Sequence, residues 1–80
     1  MPEPSDADIA ATLLELAAER GRAKTFCPSE AARRLSTDWR PLMPAIRRVA
    51  ATLPLVATQK GRAVNAMTAI GPIRLGKRAC

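Results

Sequence analysis

The first apolar stripe of the chain has the period of an α-helix. Its members are Ile9, Leu13, Leu16 and Ala17. Ser5 precedes the stripe as a candidate N-cap, and Asp6 and Asp8 fall in the first turn, where carboxylates suit the helix dipole. Gly21 supplies a C-terminal stop. The pattern predicts a helix with one face on a core and acidic side chains towards water.

Two further helical segments follow, separated by a short polar turn at residues 36–38. The first opens at Pro28, because proline at the first helical position loses no hydrogen bond. Its apolar positions are Ala31, Ala32 and Leu35. The apolar positions of the next segment are Leu42, Ile46, Val49, Ala50 and Leu53. Since Pro44 lacks an N–H, this third helix either kinks within residues 40–43 or begins near Pro44.

Short β segments occupy much of the rest of the chain. Residues 55–59 and 62–65 contain β-branched side chains and flank Lys60-Gly61, a turn pair suited to a hairpin. Residues 24–26 have weaker β character and predict a short strand that joins a sheet supplied from elsewhere. Residues 68–75 are predicted as an extended tail with a Gly-Pro turn. The apolar anchors of this tail are Ile70, Ile73 and Leu75.

The order helix, strand, helix, turn, helix and hairpin is typical of a winged helix. The predicted fold class is therefore α+β and mainly α, with three helices, a helix-turn-helix and a small antiparallel wing. A chain of 80 residues makes one domain. The predicted boundaries are a disordered lead-in over 1–5, the winged-helix-like domain over 6–75 and a frayed tail over 76–80.

Composition excludes several kinds of site. The chain has no His, and Cys27 and Cys80 lie far apart without a paired motif, so no metal site is expected. Without a histidine base or a glycine-rich phosphate loop, we expect no enzyme, no cofactor and no small-molecule substrate. Phe26 and Trp39 are too few aromatic residues to stack the bases of a single strand. Unpaired thiols, with no secretory leader, membrane span or membrane partner evident, favour a cytoplasmic protein.

Charge is divided unevenly along the chain. Up to Asp38 there are seven acidic and five basic residues, whereas the remainder has eight basic residues and no acidic one. Basic side chains gathered on one surface attract phosphate and release its counterions. The net charge of +6 and its distribution therefore predict a polyanionic partner.

The third helix and the hairpin tip carry the principal candidate residues. These are Arg40, Arg47, Arg48, Lys60 and Arg62. The three arginines fall opposite the apolar stripe at about 100° per residue, and arginine can donate two parallel bonds to a guanine. We expect a nucleic-acid partner, with duplex DNA preferred over RNA because the third helix of this fold can enter the major groove. The alternative is a protein interaction module that docks an acidic partner.

Other basic residues are secondary candidates with structural alternatives. They are Arg33, Arg34, Arg74, Lys77 and Arg78. Arginines on an exposed helix face are often only solvated. Arg33 has Glu30 at helical spacing as an alternative ion-pair partner, and Arg74 has Glu30 or Asp38. Trp39 lies on the apolar side of the third helix and is expected in the core.

Four runs of sequence carry a resemblance to a known family. They are 24–33 (KTFCPSEAAR), 38–47 (DWRPLMPAIR), 58–61 (TQKG) and 71–75 (GPIRL). In this order, over about residues 9–75, the chain resembles a small bacterial family, domain-of-unknown-function family 3253. The resemblance implies a winged-helix-like fold and no established activity, so it bears on architecture more than on function.

Overall fold

The computed structural model describes residues 4–21 and 24–77, which form three α-helices and a four-stranded antiparallel sheet. The helices are α1 (Asp6–Arg20), α2 (Pro28–Leu35) and α3 (Met43–Ala50), and a 3-10 turn (Arg40–Leu42) runs directly into α3. The strands are β1 (Thr25–Phe26), β2 (Leu55–Gln59), β3 (Arg62–Val64) and β4 (Arg74–Lys77). The sheet order is β1-β4-β2-β3. This α+β, mainly helical arrangement is the predicted winged helix.

Both ends of α1 follow the predicted capping chemistry. The Ser5 hydroxyl accepts a bond from the Asp8 N–H at 3.1 Å, and the Asp8 carboxylate accepts one from the Ser5 N–H at 3.2 Å. This reciprocal pair satisfies two N–H groups that the helix leaves without partners. At the other end, Gly21 has a φ of 80° and donates its N–H to the Ala17 carbonyl. The first helix therefore begins and ends where the sequence predicted.

The 3-10 turn settles how the third helix begins. In an α-helix the Arg40 carbonyl would accept a bond from the N–H of residue 44, which is a proline and has none. Met43 donates its N–H to that carbonyl instead. Pro44 then occupies the first turn of α3, where a missing N–H costs nothing. The tighter turn thus satisfies the Arg40 carbonyl despite Pro44, and α3 begins at Met43, one residue before the second predicted start.

The predicted tail is a strand at the centre of the sheet. Leu75 pairs with Phe26 on one side and with Ala57 on the other, so β4 joins the predicted short strand β1 to the hairpin. Gly76 and Lys77 pair within the sheet rather than in the frayed tail assigned to 76–80, and residues 78–80 lie outside the described residues. At the other terminus Ser5 caps α1, so the last residue of the predicted lead-in belongs to the fold.

The core forms where the helices pack against one face of the sheet. Its fully buried large side chains are Phe26, Ile9, Leu13, Leu16, Ile46, Leu75 and Pro28. Of the three predicted tail anchors, Ile73 and Leu75 are buried, but Ile70 is 92% exposed. The prediction for Ile70 was wrong because its segment leaves the sheet between β3 and β4 instead of crossing the core. Within the part of the chain that the structure describes, no helix is long and apolar enough to cross a membrane.

Candidate nucleic-acid interface

Arg47 lies on the flank of α3 that faces the segment between β3 and β4. Its guanidinium donates to the Ala69 carbonyl at 2.6 Å and to the Gly71 carbonyl at 2.5 Å. The side chain is half-buried, and both bonds are charge-assisted. The residue predicted to face a DNA groove therefore connects α3 to the loop beside the wing.

Gln59, at the end of β2, holds the same loop from the other side. Its side-chain amide donates to the Ile70 carbonyl at 2.5 Å and to the Pro72 carbonyl at 3.2 Å. The four consecutive carbonyls of residues 69–72 thus alternate between Arg47 and Gln59. We call residues 69–72 the clamped segment.

Arg48 lies on the opposite flank of α3, next to the start of α1. Both of its terminal nitrogens donate to the Asp6 carboxylate at 2.8 Å. The two side chains remain 51% and 62% exposed, so solvent screens the pair. Arg48 is thus accessible, but its charge is partly neutralised inside the domain.

The outward strip of α3 carries little that can recognise bases. Between the flanks occupied by Arg47 and Arg48, the exposed residues are Pro44 and Ala51. Neither side chain has a hydrogen-bond donor or acceptor. An open depression of about 550 Å³ borders this strip beside Met67. The strip has room for a close partner, yet it lacks the polar groups that direct readout of a base pair needs.

A second group of cations lies at the helix-turn-helix. The guanidinium groups of Arg33, from α2, and Arg40, from the 3-10 turn, each lie 4.8 Å from the centre of the Trp39 ring. Trp39 packs against the core but is only partly buried, whereas its position on the apolar side predicted a core residue. We call Arg33, Trp39 and Arg40 the turn cluster. Trp39 orients two cations that form no salt bridge within residues 4–21 and 24–77.

The wing tip follows the predicted hairpin. Gln59 pairs with Arg62 across a two-residue turn in which φ is 52° at Lys60 and 81° at Gly61, the left-handed pair of a type I′ turn. Lys60 and Arg62 are exposed and form no salt bridge among the described residues. An open depression of about 700 Å³ separates them from Pro72 and the rest of the clamped segment.

Neither Arg74 nor Arg33 pairs with the carboxylates that the sequence offered as alternative partners. Arg74 donates to the Thr25 hydroxyl at 3.0 Å and to the Thr25 carbonyl at 2.8 Å, so the predicted pairing with Glu30 or Asp38 was wrong. The predicted pairing of Arg33 with Glu30 was also wrong, because Glu30 binds Arg20 and the Cys27 N–H.

Arg34 and Lys77 belong to neither the turn cluster nor the wing tip. Arg34 binds Glu19 through two bonds of 2.8 and 2.9 Å and also contacts Glu15. Lys77 is exposed at the end of β4 that pairs with Leu55, at the opposite end of β2 from the wing tip. Arg78 lies outside the described residues.

No local pattern in the sequence indicated four of the contacts described above. Gln59 is 11 positions in sequence from the residue that it binds in the clamped segment, and Arg47 is 22 positions from its own. Arg48 is 42 positions from Asp6, and Arg74 is 49 positions from Thr25. No local spacing rule covers such separations. Only the proximity of Trp39 to Arg40 was a usable signal, since a neighbouring aromatic ring can orient a guanidinium.

Two exposed ion pairs of α1, Asp6 with Arg48 and Glu19 with Arg34, make the stability of the domain vary with pH in the acid range. Hydrogen bonds from Arg48 lower the pKa of Asp6 below its ordinary value of 3.8, and hydrogen bonds from Arg34 lower the pKa of Glu19 below 4.5. A lowered carboxyl pKa contributes stability above the ordinary value, and that contribution is lost as pH falls through the folded value. We expect the Tm to fall as the pH drops below about 4.5.

Thermal melts of a variant carrying Asp6→Asn and Glu19→Gln test this dependence. Between pH 5 and pH 2 the variant should lose less Tm than the unaltered domain, and added salt should reduce the difference because both pairs are exposed. Equal acid slopes for the two proteins would show that these pairs do not contribute.

Three helices, a helix-turn-helix and an antiparallel sheet with a basic hairpin tip define a winged-helix-like domain. The sequence matches the family described as "Protein of unknown function (DUF3253)" over residues 6–78, and the chain belongs to that family. No curated protein matches the sequence.

Proposed function

We propose that this domain is a binding module rather than an enzyme, and that its partner is duplex DNA. The turn cluster and the wing tip contact its phosphates. The proposal includes a cytoplasmic location, which the free thiol of Cys27 favours. The observation that carries it is the presence, at the turn cluster and the wing tip, of four exposed cations that bind no carboxylate of the described residues.

Three arginines of the helices are paired with carboxylates inside the domain. Arg20, Arg34 and Arg48 each bind a carboxylate of α1 or α2. Among the described residues, the four exposed cations of the turn cluster and wing tip bind none: Arg33, Arg40, Lys60 and Arg62. In a helix-turn-helix domain the element before the recognition helix crosses the DNA backbone. Cations at the turn and at the wing are therefore well placed for phosphate contacts.

The same geometry favours binding with little sequence preference. Arg47 is engaged with two carbonyls, Arg48 with Asp6, and the strip between them consists of Pro44 and Ala51. Phosphate contacts fix register and orientation but carry no direct sequence information. We therefore expect affinities for unrelated duplexes of equal length to be similar.

Titration of a labelled random-sequence duplex at several salt concentrations tests the proposal. If the four unpaired cations each neutralise one phosphate, log affinity should fall against log salt with a slope of roughly −4. Absence of binding at low salt would overturn the proposal. A salt-independent affinity would do so as well.

Asp38→Asn offers a test of the opposite sign. Asp38 is exposed directly before Trp39 of the turn cluster, and no Lys or Arg forms a salt bridge with it in the described residues. Removing this carboxylate should raise affinity for duplex DNA several-fold at low salt, because its negative charge repels the DNA phosphates. Unchanged or weaker binding would argue against contact at the turn. An acidic polypeptide that binds the domain in place of duplex would support the docking alternative.

A further inference from the structure

Ile70 is an apolar residue in an unusual position. It is 92% exposed, whereas Ile73 and Leu75, the other two apolar anchors of the predicted tail, are 2% and 1% exposed. Single exposed apolar side chains are common on protein surfaces and by themselves indicate nothing. The backbone that carries Ile70 distinguishes it from such residues.

Hydrogen bonds to the clamped segment restrain the backbone on both sides of Ile70. Every carbonyl from Ala69 to Pro72 accepts a bond from Arg47 or Gln59. Gly71 supplies a φ of 89° and Pro72 has a fixed ring, so the chain turns sharply just after Ile70. Side chains from two separate elements thus restrict a surface loop whose most prominent residue contacts almost nothing. A pre-ordered segment loses little conformational entropy when a partner binds.

The surroundings of Ile70 indicate the chemistry of that partner. Lys60 and Arg62 line the same depression of about 700 Å³ as Ile70 and Pro72. Among the described residues this depression has two cations and no carboxylate in its wall. The surface therefore suits a partner that offers negative charge at its rim and an apolar gap between its charges. The minor groove of duplex DNA can offer both, because phosphates border the groove and a base step that opens exposes the apolar faces of its two base pairs.

We propose that Ile70 acts as an apolar wedge that enters the minor groove between two base pairs, while Lys60 and Arg62 contact the phosphates beside it. The proposal rests on the proposed function and extends it from phosphate binding to DNA bending. Proteins that bind the minor groove insert Ile, Leu, Met, Phe or Pro side chains between base steps and kink the duplex by roughly 20 to 90°. A side chain that separates base pairs needs a backbone that does not yield, and the hydrogen bonds from Arg47 and Gln59 restrain the backbone beside Ile70.

The experiment uses a short duplex with one central TA step, since pyrimidine–purine steps unstack most readily. A 2-aminopurine next to that step reports unstacking, and dyes at the two ends report bending. The full chain should raise the 2-aminopurine fluorescence and shorten the end-to-end distance. Ile70→Ala should abolish both signals and weaken binding by roughly 3-fold to 10-fold. It should leave the salt slope unchanged, because no charge is removed.

Met67→Ala is the matched control. Met67 is also apolar and 59% exposed, but it borders the depression beside α3 rather than the one beside the wing. This variant should retain both signals. Both substituted side chains are exposed, so neither change should alter the Tm appreciably.

The outcomes separate the two proposals. Salt-dependent binding without unstacking or bending would overturn the wedge and leave the proposed function standing. Equal loss of both signals in Ile70→Ala and Met67→Ala would also overturn the wedge. No binding of the full chain to duplex would overturn the proposed function. Binding to polyglutamate that requires Ile70 would instead indicate a protein partner and contradict both.

Discussion

Replacing Arg47 with methionine should lower the free energy of unfolding by about 2 kcal/mol, which corresponds to roughly 10 °C in Tm for a domain of this size. Methionine keeps much of the apolar stem but removes both charge-assisted bonds, to the carbonyls of Ala69 and Gly71. Of the four carbonyls of the clamped segment, only the two that bind Gln59 would then keep a side-chain partner. Arg47→Lys should have an intermediate effect, because an ammonium cannot reproduce the planar fork that reaches two carbonyls.

Urea denaturation and thermal melts of Arg47→Met and Arg48→Met measure this difference. Arg48 is adjacent in sequence and carries the same charge, but its partner is an exposed carboxylate. Exposed pairs contribute little to stability, so Arg48→Met should change the Tm much less. Equal destabilisation by the two variants would contradict the structural role assigned to Arg47.

Removing the two wing-tip charges should weaken binding to duplex DNA by about 50-fold at 0.1 M salt. Each neutralised phosphate contributes about 0.9 to the salt slope, and thus nearly tenfold in affinity between 1 M and 0.1 M salt. The variant combines Lys60→Asn with Arg62→Gln. Asn tolerates the φ of 52° at position 60 and suits a type I′ turn before Gly61, so the hairpin should keep its geometry.

The matched control combines Lys24→Gln with Lys77→Gln. Lys77 pairs with Leu55, and Lys24 precedes Thr25, the partner of Gly76, so both control residues lie at the end of β4 away from the wing tip. The two variants lose the same net charge. Only the wing variant should make the salt slope shallower by about 2. Equal losses would mean that affinity follows overall charge and that the wing makes no particular contact.

Local sequence signals account for most of the fold. The apolar stripes, the Ser5 cap, the stop at Gly21 and the Lys60-Gly61 turn each act within a few residues, and all are confirmed. The central strand was not predicted, because β4 has four residues, one of them Gly76, and depends on pairing with β1 about fifty positions away. The start of α3 was left open between two alternatives, because the sequence did not show that a 3-10 turn would accommodate both Pro41 and Pro44.

The candidate site was predictable in position but not in its contacts. Helical spacing correctly put Arg47 and Arg48 away from the apolar stripe, but it could not show that one side chain reaches the clamped segment and the other reaches α1. Arginine has a long side chain that extends sideways from its helix, so its partner depends on which elements pack nearby. Charge asymmetry along the sequence thus identified the basic half, and tertiary contacts determine which of its cations keep an unpaired charge.

The most direct test of duplex binding through the turn cluster and wing is an NMR titration of the isotope-labelled full chain with a short duplex. We predict that amide shifts will concentrate at Arg40, at residues 60–62 and at Ile70 and Gly71, and that they will decrease as salt is added. The acid-bearing surface of α1, around Glu15 and Glu19, should remain unchanged. Shifts confined to α1, or no shifts at low salt, would contradict the account.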